Sequence, residues 1–137
     1  MRRLFYIPII IGVAVFAVPH FLSAVNSNVL PVPFVVQAPH ANWEQPYQDA
    51  CEESSITMLH AYYQGDTRAR MPAGEADRWI LDLVGIEKEI LGYHRDTDLS
   101  DMARMINDFF PFEARVIDNP TLSQVKSEID NHRPVVL

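Results

Sequence analysis

The sequence predicts an α+β domain, on three observations. Apolar residues recur at three- and four-residue spacing in four separate stretches between residues 49 and 129, the period of amphipathic helices. The segment "FEARVI" at 112–117 sets Phe112, Ala114 and Val116 against Glu113 and Arg115, the alternation of a half-buried strand. The closing run "PVVL" at 134–137 is apolar and largely β-branched and reads as the beginning of a further strand.

Taken in order, "PFVVQ" at 33–37 is a short strand or extended lead-in, and "APHANWEQPYQ" at 38–48, with two prolines and no helical period, is a loop. Asp49-Ala50-Cys51-Glu52 fits a capping box, with Asp49 as N-cap and Glu52 three residues on. Ser55, Ile56, Leu59, Tyr62 and Tyr63 then share a face, so a helix is expected from Asp49 to Tyr63. After a loop at 64–74, Ala76, Trp79, Ile80, Leu83, Ile86 and Ile90 define a second helix. Leu99, Met102, Ala103, Ile106 and Phe109 define a third, capped by Thr97 or Asp98. Asp118-Asn119-Pro120 is a turn, Thr121 an N-cap, and Leu122, Val125 and Ile129 a short fourth helix.

The formal net charge of −7 on 137 residues, without a basic stripe, argues against a nucleic-acid partner. A single cysteine excludes an intramolecular disulfide and a paired-cysteine zinc site; any metal site must rely on histidines and carboxylates. None is expected from histidine spacing, and no cofactor is implied. Residues 1–27 carry the targeting signal. Arg2 and Arg3 precede an apolar run from Leu4 to Val25, long enough to cross a bilayer as an anchor and also shaped as a signal peptide. Arginines at the start keep that end cytoplasmic, so the domain at 28–137 is expected outside the cytoplasm, membrane-anchored or secreted.

Cys51 lies at the mouth of the first helix. A thiolate is the nucleophile, and a helix N-terminus favours it, whereas Asp49, Glu52 and Glu53 oppose a further anion. Reactivity then requires a partner cation, most naturally an imidazolium. The alternative is a small apolar residue that packs a helix start. The three carboxylates are read as capping and solvating the helix.

The stretch "VPFVVQAPHANWEQPYQDACEESSITMLHAYYQGD" resembles the C39-like family of bacterial cysteine peptidases, through Val32, Pro33, Gln37, Cys51, Glu52, Tyr62, Tyr63 and Gly65. "GYHRDTDLSDM" at 92–102 and "RPVVL" at 133–137 are similar to the family as well, so the resemblance runs from about residue 32 to 137. It implies a papain-like α+β fold, a peptide or protein substrate, and Cys51 as nucleophile. It also implies a glutamine at the oxyanion hole, for which Gln37 matches the family position. Gln45, six residues before Cys51, is the alternative, and Gln48 is the nearest in sequence.

Two departures qualify the resemblance. The bacteriocin-processing branch reads "DCG", where this chain has Ala50 between Asp49 and Cys51 and Glu52 in the glycine's place, which speaks against double-glycine leader cleavage. The family's histidine and its Asn or Asp orienter follow the cysteine on later strands, so they are expected beyond residue 137, with this chain as the N-terminal portion. His40, His94 and His132 are weaker candidates for the base, and His60 lies two turns from Cys51. The expected activity is thus an exported cysteine peptidase, with this chain alone inactive. The alternatives are a binding or structural module without catalysis at the cell envelope and, third, an amidase or acyl transferase with the same thiol chemistry.

Overall fold

Cys51–Tyr63 forms α1, the element around which the rest packs. Its Ile56, Thr57 and Ala61 are buried, and the hydroxyls of Ser54 and Thr57 donate back to the carbonyls of Ala50 and Glu53, each at 2.7 Å. Those back-bonds satisfy polar groups that burial would otherwise penalise. The computed structural model describes residues 29–137, so the expected signal peptide or anchor at 1–27 lies outside the described residues. Three further helices follow: α2 at Ala73–Leu91, α3 at Leu99–Phe109 and α4 at Leu122–Asp130. No helix among the described residues is long and apolar enough to cross a membrane.

The two sides of α1 bury two apolar clusters. One gathers Val35, Ala50, Ala61, Met71, Ala76, Ile80 and Val84, with Tyr47, Met58 and Trp79 packed against it. The other gathers Ile56, Leu83, Met102, Met105 and Ile106, closed by Leu59, Phe110, Phe112 and Val136 among others. α2 contributes to both, because its buried residues at 76, 80, 83, 84 and 87 form one continuous face. At its end Gly92 adopts φ +79, the left-handed conformation that favours glycine, and donates to the Lys88 carbonyl at 3.1 Å. This turn brings residues 93–98 back toward the start of α1.

Helix caps follow the expected chemistry in α3 and α4. Asp98 accepts from the amides of Ser100 and Asp101, and Thr121 forms a capping box with Gln124. The start of α1 differs. Asp49 ends a short 3-10 turn at Tyr47–Asp49, Ala50 is the N-cap, and no side chain caps the helix. The Asp49 carboxylate instead accepts from Gln45 Nε2 at 2.7 Å, so Cys51 is the first helical residue.

The papain-like α+β fold expected from the sequence is corrected by the structure. The described residues hold four α-helices and no sheet, with one isolated parallel bridge between Phe34 and Arg70. None of the expected strands extends into a sheet among the described residues. Phe34 exchanges hydrogen bonds with Ala69 and Met71 at 3.1 and 3.0 Å. In 112–117, the Ala114 amide and carbonyl are both taken by the side-chain amide of Asn107 on α3, at 2.8 and 3.1 Å. The alternation holds in its facing for the first half alone: Phe112 and Ala114 pack on the core and Glu113 and Arg115 are exposed, but Val116, expected to face inward, is exposed as well. Residues 134–137 behave alike: Val136 touches the core and Leu137 is exposed.

Candidate active site at the start of α1

The first turn of α1 presents three consecutive side chains in three environments. Cys51 is exposed, Glu52 is half-buried and Glu53 is buried. The Cys51 thiol donates to Glu52 Oε2 at 2.9 Å, and the second Glu52 oxygen accepts from the Thr97 amide at 3.3 Å. Glu52 therefore ties the helix start to the segment after α2 instead of capping its own helix. Desolvation at this site, the bond to Glu52, and the charges of Glu52 and Asp96 push the Cys51 pKa up to about 11, against a smaller lowering by the helix-start backbone. The free thiol is the protonated form across the neutral range.

Behind this turn Glu53 meets Glu87 from α2 and His94 from the segment after Gly92. All three are sealed from solvent, with side-chain exposures of 2%, 0% and 3%. His94 Nδ1 contacts Glu87 Oε2 within hydrogen-bond range and stands 3.6 Å from Glu53 Oε1. Its Nε2 faces the Pro46 carbonyl at 2.9 Å, where only donation by the ring is possible. Burial pulls His94 toward neutrality, but the Pro46 carbonyl, Glu87 and Glu53 prevail and raise its pKa. Burial, with the neighbouring Glu87, raises Glu53 to about 8 despite its own backbone bond and His94. At neutral pH these shifts favour the imidazolium form of His94, bonded to Glu87, and the protonated form of Glu53. Glu53 Oε2 has no hydrogen-bond partner. The reading of Glu53 as a solvated carboxylate is thus overturned.

The remaining candidates are placed as follows. Gln37 donates through Nε2 to the Tyr47 and Gln48 carbonyls, at 2.8 and 3.0 Å, and so pins the 3-10 turn that delivers Cys51. Gln45 is exposed and bonded to Asp49, and Gln48 takes part through its backbone carbonyl. His40 is exposed, 3.9 Å from Asp77. His60 lies between the rings of Trp79 and Phe110, at 4.5 and 5.2 Å, where burial lowers its pKa. The His132 carbonyl accepts from the Tyr62 hydroxyl at 3.1 Å. Among the described residues the thiol's hydrogen bond goes to Glu52, and both His94 nitrogens are engaged elsewhere.

Sequence reasoning missed the Glu53–Glu87–His94 cluster. Its signal was present in α2, where Glu87 falls in register with Ala76, Ile80, Leu83 and Val84 on the apolar face. A carboxylate in such a stripe needs a buried partner. No family model, curated protein or solved structure matches the chain.

Proposed function

We propose that this chain belongs to an exported thiol hydrolase of the C39-like type that cleaves peptide bonds with Cys51 as nucleophile. The observation that carries the reading is the placement of Cys51 as the first residue of α1, exposed, with its thiol at the helix mouth. Cys51 Sγ would attack the scissile carbonyl carbon, forming a thioester as the amine leaves with a proton; water then releases the acid and regenerates the thiol. Both halves need a base near the sulfur, and the reading assigns it to an imidazole from outside the described residues. Gln37 is the proposed oxyanion donor and Gln45 the alternative. For Gln37 to serve, one of its bonds to the Tyr47 or Gln48 carbonyl must be exchanged for the oxyanion. Export rests on Arg2, Arg3 and the apolar run that follows them.

A second reading, a binding or structural module without catalysis at the cell envelope, is favoured by the bond from Cys51 to Glu52 and the raised thiol pKa. Covalent capture separates the two. A peptidyl vinyl sulfone is incubated near neutral pH with the full protein that the reading frame encodes, and the labelled residue is located by mass spectrometry. The hydrolase reading expects selective labelling of Cys51, faster than a simple cysteine peptide and slowed by competing peptides. Labelling no faster than the free peptide's thiol would favour the module.

A further inference from the structure

We propose that Glu53, Glu87 and His94 form a buried site for one divalent transition-metal ion of the zinc class, which clamps α1, α2 and the 93–98 segment together beneath Cys51. Each residue offers a donor atom within 4.8 Å of the other two, on three different parts of the chain. An ion with ligand distances of about 2.0–2.1 Å in tetrahedral arrangement holds its ligands roughly 3.4 Å apart. His94 Nδ1 and Glu53 Oε1, at 3.6 Å, already stand near that spacing. Glu87 and His94 need only open from their present hydrogen bond to admit the ion.

The orientation of His94 supports the same conclusion. Metal-binding histidines usually donate their second ring N–H to a carbonyl or carboxylate, which fixes the tautomer. His94 does so through Nε2 to the Pro46 carbonyl, and its Nδ1 is left facing two carboxylates. A proton is the competing occupant, because it too offsets the charge of two buried acids. Protonated, Glu53 hydrogen-bonds to Glu87; ionised, it leaves its buried Oε2 without a partner. A metal ion held by both Glu53 oxygens would employ it. One imidazole and two carboxylates suit zinc, whereas calcium and magnesium take all-oxygen shells. The thiol is not a ligand in this proposal; Cys51 and Asp96, both exposed, group separately with the half-buried Glu52.

The test is metal content of the full chain, made in zinc-supplemented medium and purified in detergent with a tag that contains no histidine. About one zinc per chain is expected, with a thermal midpoint lowered by chelation and restored by zinc but not by calcium or magnesium. Exchange for cobalt should give the visible absorption of a low-symmetry site. Glu53→Gln and His94→Gln should each cut retained zinc at least tenfold, while Cys51→Ala keeps it in full. Glu53→Gln preserves volume and mimics a protonated Glu53, so a proton-held cluster would fold normally with it. Wild-type protein free of zinc at micromolar supply would overturn the proposal. So would full zinc content in both variants, or zinc lost only with Cys51→Ala.

Discussion

Cys51→Ala is expected to abolish peptide hydrolysis by the full protein, a loss on the order of 10⁴–10⁶-fold as for outright removal of a nucleophile. Its melting temperature should stay where it was, because the Cys51 side chain is exposed and its removal opens no cavity. That combination separates a chemical role from a packing role. Gln37→Ala should slow turnover by roughly 10²–10³-fold, the effect of losing one oxyanion donor. It also frees two carbonyls of the turn before Cys51, so its effect is compared with that of Gln45→Ala, which releases only Asp49. If the large loss follows Gln45→Ala and not Gln37→Ala, the oxyanion role passes to Gln45.

The largest effect on stability is expected at Glu87. Glu87→Ala removes the buried partner of His94 Nδ1 and should cost about 3–5 kcal/mol, the scale of deleting one side of a buried polar pair. Against a total domain stability of about 5–15 kcal/mol, such a change approaches unfolding. Glu53→Gln, measured with chelator present, should be close to neutral, since the amide stands in for a protonated acid. The same cluster fixes a pH dependence. Glu53 is raised from 4.5 to about 8 and His94 is raised from 6.5, so both bind their protons more tightly when folded. The Glu53 contribution is fully present below about pH 4.5 and is lost as pH rises through about 8, and that of His94 is present below 6.5 and lost as pH rises through its raised folded value. Urea midpoints of the chelated chain should fall across that window, and Glu53→Gln should flatten the slope. A midpoint that rises with pH through the same range would contradict the protonated Glu53.

The helices were legible from apolar spacing, a local pattern, which α2 and α3 turn into a buried stripe, although α4 buries none of its residues. Of the two caps the sequence offered for α3, Thr97 and Asp98, the helix uses Asp98. The start of α1 was misread because Asp49 satisfies Gln45, a choice set by the turn before the helix and invisible in the capping pattern. The expected strands failed for a different reason. Alternation at 112–117 puts Phe112 and Ala114 on the core but fails at the exposed Val116, and a strand also needs a partner backbone, where Asn107 sits instead. At the site, the position of Cys51 could be read from its neighbours. The burial of Glu53 could not, because its cause lies 34 and 41 residues away, at Glu87 and His94.

Cys51 is an exposed helix-start thiol kept protonated by desolvation at the helix start and by its carboxylate neighbours, with no side-chain cation among residues 29–137 acting on it. The direct measurement is the alkylation rate of Cys51 in the 137-residue chain as a function of pH, with Glu52→Gln alongside. The predicted midpoint lies well above the ~8.5 of a free thiol, toward about 11, and moves down when Glu52 loses its charge. A midpoint below about 7 would contradict a thiol held protonated, because one so acidic beside three carboxylates requires an adjacent cation.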